Sequence, residues 1–361
     1  MRIFQVTKAC EWEGHDGASQ TSERPKTMRR VQDSFNISVV IPTYNRGFCI
    51  HSALNSVFAQ TLRPYEVIVV DDGSSDDTAA VVATYGQSVR YLVQRNAGAS
   101  AARNTGIHAA SGAWVAFLDS DDEWRPNKLE IQVRELQEYP EAVGHFVDCL
   151  IQRPGFFNKT VFEVRGRLHD FHAEPYRKRP LRDVLMSLFF PSAWLVKREV
   201  LLQAGGFDTE LKVCEDTDLL AHIALKGPFV VSCTQGVILE RQGENEGLSD
   251  LCARDPLQYF QTMCKSYQKL ALVKELTSQE KYLVSHELAA VHMELAILKA
   301  RSKNVKAMRQ EVHRALAANH SARTLCKALS LLILGPSLYA ILLKRLRPNA
   351  WVEAGRSHRH A

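Results

Sequence analysis

The chain has 361 residues, 45% of them apolar and 24% charged, with a formal charge of +5. That length suits one large domain with an appendage, or two domains; the composition is globular, and so small a positive surplus argues for no nucleic-acid partner. Eight cysteines are scattered without a CxxC pair, which excludes a zinc-ribbon spacing and a disulfide framework and points to a reducing, cytoplasmic setting.

In chain order, residues 1–36 are polar and aperiodic and read as a disordered extension. No secretory signal is visible there, and Met28 is an alternative start. Ser38–Tyr44 is a β-branched run, followed by Ile50, Leu54, Val57 and Phe58 at helical spacing. Glu66–Val70 predicts a second strand, and a helix after it capped by Ser75 or Asp76. Val89–Val93 is a third strand, Gly98–Ala109 a helix of small residues and Trp114–Leu118 a fourth strand. Pro126 is expected just inside a helix that runs to about Glu138, with Ala142–Val147 as the fifth strand. The pattern loosens over 151–190 and resumes with a strand at Ser192–Lys197, a short helix at Glu199–Ala204, a turn at Gly205–Asp208, a helix at Glu215–Leu225 and a strand at Phe229–Ser232. Strands alternating with helices at this spacing predict an α/β fold with a doubly wound, mostly parallel sheet over about 37–250.

From about residue 251 the composition favours helix throughout. Ala328–Leu343 is a 16-residue apolar run, broken by Gly335-Pro336 and flanked by Lys327, Lys344, Arg345 and Arg347. It falls short of the ~20 residues that span a bilayer. Two readings stand: a helix pair lying on a membrane surface, or a hairpin that packs over the preceding domain.

The stretch WVAFLDSDDEW (114–124) carries the most chemistry. An apolar strand stops at Asp119, Asp121, Asp122 and Glu123. Carboxylates gathered at the mouth of a buried strand are costly unless compensated, and a hard cation such as Mg²⁺ or Mn²⁺, shared with substrate phosphates, compensates them. Polar clusters also close the first two strands, at Thr43–Arg46 and Asp71–Gly73. Ligands of doubly wound sheets bind at such strand ends. Asp71 and Asp72 are compatible with a simple helix cap and turn, or with a contact to a base or ribose. Arg103, in a segment of small residues, needs a partner if buried, and Asp119, Asp121 or a donor phosphate is available. Glu215 and Asp216 open a helix, where the helix dipole alone would also favour them. His169 and His172 fit no zinc spacing and are read as loop residues.

Together, PTYNR (42–46), VDDGSSDDT (70–78), NAGASAARNTG (96–106), FLDSDDEW (117–124) and GGFD…EDTDL (205–208, 215–219) resemble the family 2 glycosyltransferases of the GT-A fold over about residues 37–245. The resemblance implies inverting transfer of a sugar from a nucleotide diphosphate donor, UDP foremost, with Mn²⁺ or Mg²⁺. It assigns Pro42, Thr43, Tyr44 and Arg46, with Asp72 or Asp71, to the nucleobase pocket. It lays Asn96, Gly98 and Arg103 along the nucleotide and donor sugar. It makes Asp121 the metal ligand, assisted by Asp119, which contacts ribose or metal-bound water. It makes Asp216 the base that deprotonates the acceptor hydroxyl, with Glu215 beside it and Asp218 a further candidate. Arg241 would meet the diphosphate, because Gly243 stands where relatives often carry a histidine. The expected acceptor is a glycan or lipid-linked sugar, an expectation drawn from the basic segment Arg165–Arg182 and the apolar C-terminal run, which also suggest peripheral contact at the inner face of the plasma membrane. The competing reading is a non-catalytic sugar-nucleotide-binding or scaffolding protein on the same fold. A dinucleotide-binding Rossmann enzyme is excluded, since PTYNRG supplies a single glycine where G-x-G-x-x-G is needed.

Overall fold

The computed structural model describes residues 35–152, 158–186, 189–240, 255–321 and 324–333. β1 (Ile37–Thr43) lies between β2 (Glu66–Asp71) and β4 (Trp114–Phe117), parallel to both, and β3 (Arg90–Val93) adds outside β2. All seven residues of β1 are buried, as expected of a strand covered on both faces. β9 (Trp194–Lys197) runs antiparallel between β4 and β6 (Gly144–Gln152), and β10 (Phe229–Glu240) lies parallel to β6. Two reversals return β6 and β10 to the direction of β1 to β4. With β5 (Asp122–Trp124) at the far edge, the strand order is β3-β2-β1-β4-β9-β6-β10-β5, and the expected helix-flanked sheet forms as a mixed one, with β9 and β5 antiparallel to their neighbours. The chain departs from β1 towards β2 on one side and towards β4 on the other, which opens a crevice at their carboxyl ends.

Helices α1 (Ile50–Phe58), α2 (Thr78–Ala83), α3 (Ala99–Ala109), α4 (Lys128–Glu138), α8 (Arg198–Gln203) and α9 (Glu215–Ala224) cover the sheet, with short turns α5 (Val161–Val164), α6 (Leu168–Ala173) and α7 (Leu181–Met186) in the irregular segment. α3 packs directly on β1 because it carries Gly106, where a Cβ would stand 2.2 Å from Val40 Cγ1.

Several boundaries differ from the sequence reading, among them the fifth strand, β6, which ends at Gln152 and not at Val147. α2 starts behind Asp77, although Asp76 Oδ1 does accept from the Thr78 N–H at 3.0 Å. α4 starts at Lys128 behind Asn127, so Pro126 precedes the helix; its carbonyl accepts from Thr61 N–H at 2.8 Å. β10 extends to Glu240, because irregularities between Ser232 and Val237 hide its alternation. Asp122–Trp124 forms β5, antiparallel to β10, and three residues are too few to show a period.

The basic segment turns inward. Arg167 and Arg177 both bind Asp183, at 2.6 and 2.8 Å, and stack over the buried Phe171. Arg179 pairs with Glu280 at 2.9 Å through Nε. Arg167 and Arg177 are therefore committed to the fold; Arg179 keeps its pair while exposed, and Arg165, Lys178 and Arg182 are exposed as well. His169 and His172 lie exposed on α6, not on a loop.

Beyond residue 254 the described chain is helical: α10 (Pro256–Ala271), α11 (Ser278–Arg301), α12 (Val305–Ala318) and α13 (324–333). Ala296, Met308, Val312, Ala315, Ala328 and Leu331 form the core of this array. Cys264 and Tyr267 of α10 pack with Val291 and Leu295, and Leu185 of α7 joins them. Glu280 both completes a capping box with Thr277 and holds Arg179, so the third layer is docked on the sheet domain by apolar and ionic contacts.

Gly106→Ala should cost about 1–3 kcal/mol by overpacking the α3–β1 contact, seen as a lower melting temperature. Melting at the wild-type temperature would show that this contact has slack.

Candidate active site

The site is assembled at the carboxyl ends of β1, β2 and β4. Asp71 and Asp72 close β2, and both are buried. Asp71 accepts from the Ser74 N–H at 2.7 Å and from the Tyr91 hydroxyl. Asp72 accepts from Gln94 Nε2 at 2.7 Å, from Ala97 N–H at 2.9 Å and from Gly98 N–H at 2.7 Å. The two carboxylates thus clamp the strand-end turn and the 94–98 segment, and Asp72 sets the positions of Asn96 and Gly98.

The loop after β1 is held the same way. Pro42 sits within the sheet opposite Val70. Thr43 is buried, its carbonyl accepting from Asp72 N–H at 2.9 Å, and its Oγ1 has no hydrogen-bond partner among the described residues. Asn45 takes a left-handed conformation, φ 50°. Its N–H donates to Ser74 Oγ and its side-chain oxygen accepts from Ser75 N–H, both at 2.8 Å. Arg46 N–H donates to Thr78 Oγ1 at 3.0 Å. What remains facing solvent is Tyr44, 48% exposed, and the Arg46 guanidinium, 5.7 Å from the exposed Phe48 ring. These provide a flat face and a cation beside the crevice.

Beyond β4 the chain turns through Asp119–Asp121. Asp122 N–H donates to Asp119 O at 3.0 Å. Asp119 and Asp121 are half-buried, while Asp122 is 1% exposed and accepts from Ser192 Oγ at 2.6 Å. Asp122 therefore faces the fold. Cys49 donates to Ser120 O at 3.4 Å. Its thiol is pushed up to about 11, first by burial and then by the charge of Asp121, with Arg46 opposing. Asp121, Arg46 and the start of α1 therefore share one neighbourhood.

Arg103 joins this turn to α9. Its side chain is almost fully buried; Nη2 meets Asp119 Oδ1 at 2.7 Å and Nη1 meets Glu215 Oε1 at 3.1 Å. Burial pulls its pKa down, and Asp119 followed by Glu215 more than reverses this, so the cation is retained. Its guanidinium lies 5.2 Å from the Phe207 ring, which stacks on Trp194. The neighbouring Asn104 exchanges two hydrogen bonds of 2.8 Å with the Phe207 backbone. Gly206 is required beside it: φ is +71°, and a Cβ would lie 2.6 Å from Asn104 Oδ1. The ARNTG and GGFD motifs are two halves of one contact.

α9 starts from Cys214 in a left-handed conformation, φ 60°, a strained state for a residue with a Cβ. Glu215, Asp216 and Asp218 occupy its first turn, where the helix dipole favours them. Burial, and then Asp216, push Glu215 up to about 7 against the pull of Arg103. Burial also raises Asp216, whose Oδ1 accepts from Thr217 N–H at 2.6 Å. Asp218 is buried, 3.8 Å from His222, and so is less open to a substrate than the half-buried Asp216.

Among the described residues no group of three or more His, Cys, Asp or Glu is arranged to hold a metal. Asp121, with the second oxygen of Asp119, still fits a Mg²⁺-like ion that takes one or two carboxylates and completes its shell with water and phosphate. Arg241 lies outside the described residues. A depression of about 290 Å³ lined by Glu135, Tyr139, His172 and Ser232 lies at the start of β10, away from these groups. Sequence reasoning missed Ser192 and the Arg103–Glu215 pair. Neither carries a local signal, since each joins segments 70 residues or more apart.

Residues 38–203 match the family Glycosyl transferase family 2. The chain is 40% identical over 135 residues to an uncharacterized glycosyltransferase of Rickettsia conorii, covering 37% of this chain and 22% of that protein's length. It is 28% identical over 325 residues to the GalNAc(5)-diNAcBac-PP-undecaprenol beta-1,3-glucosyltransferase of Campylobacter jejuni, covering 88% of this chain and 95% of the other. The crystal structure of S. aureus TarS 1-349 in complex with UDP-GlcNAc superposes with a TM-score of 0.61 at 21% identity, over 78% of this chain and 81% of TarS.

Glu215 yields a pH prediction. Its folded pKa of about 7 exceeds the ordinary 4.5, so between these values the folded chain keeps a proton that the unfolded chain has released. Its contribution to stability is present below pH 4.5 and lost as pH rises to 7. Glu215→Gln should therefore gain stability relative to wild type as pH rises through that window. Parallel stability curves in urea titrations across it would refute the assignment.

Proposed function

We propose that the chain, whose residues 38–203 match Glycosyl transferase family 2 on a fold shared with TarS, is a family 2 glycosyltransferase that moves a sugar, with inversion, from a UDP-linked donor to a hydroxyl of a glycan or lipid-linked sugar in cell-surface polysaccharide synthesis. The observation that carries this reading is Arg103, which bonds Asp119 and Glu215 together. Through it the D-x-D turn and the first turn of α9 form one site, with a donor-binding end and a base.

The exposed Tyr44 face and the backbone of Pro42 and Thr43 hold the nucleobase, while Asp71 and Asp72 fix the loops around it. Arg46, Asn96 and Gly98 line the path of the nucleotide and donor sugar. Asp121 and Asp119 would hold Mn²⁺ or Mg²⁺, which supplies positive charge to a diphosphate leaving group. Asp216 takes the proton of the acceptor hydroxyl. The acceptor oxygen bonds to the anomeric carbon on one face while the bond to the diphosphate oxygen breaks on the other. Burial raises the proton affinity of Asp216, which strengthens it as a base. Glu215, pushed up to about 7, carries part of the proton load near neutrality and limits repulsion within the pair.

The Campylobacter relative's name includes a diphosphoundecaprenol-linked acceptor, which supports a lipid-linked acceptor here. No helix among the described residues is long and apolar enough to cross a membrane. α13 exposes Leu325, Leu329, Leu332 and Ile333 at helical spacing, while Ala328 and Leu331 are buried. This face, with Lys344, Arg345 and Arg347 following in sequence, supports peripheral contact with an anionic membrane surface.

Asp216→Asn should lower transfer by ~10²–10⁴-fold, as loss of a general base does, with donor affinity near wild type. Asp121→Ala should remove the Mn²⁺-dependent part of UDP-sugar binding measured by calorimetry. Turnover retained by Asp216→Asn, or a donor affinity indifferent to Mn²⁺, would sink the corresponding assignment. For the membrane, Leu329→Asp with Leu332→Asp should abolish co-sedimentation with anionic phospholipid vesicles; unchanged co-sedimentation would place the contact elsewhere.

A further inference from the structure

We infer that Ser192 is the positioning residue of the D-x-D turn, holding Asp121 in place from below without touching substrate. The inference rests on the reading that Asp121 and Asp119 serve the donor's cation. Ser192 belongs to a single helical turn, Pro191–Ala193, that leads into β9, the strand beside β4. It is 0% exposed. Its hydroxyl accepts from the Asp119 N–H at 3.1 Å and donates to Asp122 Oδ2 at 2.6 Å, using both polarities of one hydroxyl. Its carbonyl accepts from the Trp124 indole N–H at 2.8 Å. One residue is thus bonded on both sides of Asp121 in sequence.

The anchor is itself anchored. The Trp124 backbone N–H donates to Ser56 Oγ of α1 at 3.1 Å. The Lys128 ammonium sits 4.0 Å from the centre of the Trp124 ring, and donates to Gln132 Oε1 at 2.8 Å. Lys128, Gln132 and Ser192 are all fully buried. Without the hydroxyl, the Asp119 N–H and the buried Asp122 carboxylate lose a shared partner in a place closed to solvent. The backbone of the turn would then move to recover one. The acidic residue that looks like a spare metal ligand, Asp122, is on this view a fastener.

The test uses the full chain and UDP as the probe, titrated by calorimetry with and without Mn²⁺. Ser192→Ala should weaken Mn²⁺-dependent UDP binding by about tenfold, as expected for the loss of one hydrogen bond to a charged group, and should change metal-free binding by less than about twofold. In an Asp121→Ala background, adding Ser192→Ala should have almost no further effect, because its only route to the ligand is gone. Should Ser192→Ala not fold, Asp122→Asn, which keeps shape and removes the charge accepting from Ser192, carries the same expectation with a smaller loss. Wild-type affinity in the variants, equal losses with and without Mn²⁺, or additive losses with Asp121→Ala would each overturn the inference. A wild-type protein whose UDP affinity ignores Mn²⁺ would instead defeat the underlying cation reading, and this inference with it.

Discussion

A guanidinium buried at the junction of three motifs governs this structure. Taking Arg103 out of water is expensive, and only paired carboxylates with good geometry make it tolerable. Asp119 and Glu215 supply that pairing from opposite sides, and Phe207 supplies the flat surface beneath. Because the three groups lie on different elements, satisfying one charge fixes the end of β4, the body of α3 and the start of α9 relative to one another. Asp121 and Asp216 lie half-buried on the two sides of this junction.

Much of what looks like ligand-binding chemistry is spent inside the protein. Asp71 and Asp72 accept from turn and loop donors, and Asp122 accepts from Ser192. Asn104 is occupied with the backbone of Phe207. Strand tips in a parallel sheet leave backbone groups and loop ends to be organised, and short acids are suited to that work. The acids therefore divide by burial: those sealed from solvent shape the loops, and those at the surface of the crevice face outward. Similarly, the arginines of 165–182 divide between Asp183, Glu280 and solvent.

The helical region is part of this arrangement, not a loose tail. Lys269 of α10 pairs with Asp208 in the GGFD turn, and Arg179 reaches the cap of α11. The turn that contacts Asn104 is thus braced from the far side by the third layer. Exposed apolar side chains of that layer gather on α13, at Leu325, Leu329, Leu332 and Ile333, with Leu272, Tyr282 and Val305 exposed singly elsewhere.

The type of most elements and the parallel run of β1 to β4 were legible in the chain itself, whereas the reversal at β9 was not. A strand such as SVVIPT, buried on both faces, announces itself by unbroken β-branched residues, and acidic or polar runs mark where each strand ends. Five motifs in order also marked the 119–121 turn and the start of the Glu215-Asp216 helix as segments of interest, and the structure brings the two together through Arg103. What only the tertiary structure decided is which acids are sealed into the fold and which stay half-buried at its surface. Asp119, Asp121 and Asp122 are three carboxylates within four residues and nothing local ranks them; Arg103, 16 residues before Asp119, and Ser192, 70 residues beyond Asp122, do. Pattern along a chain reports burial on one face of a local element, whereas the partner of a buried charge is chosen by packing between segments that are close only once the sheet has formed.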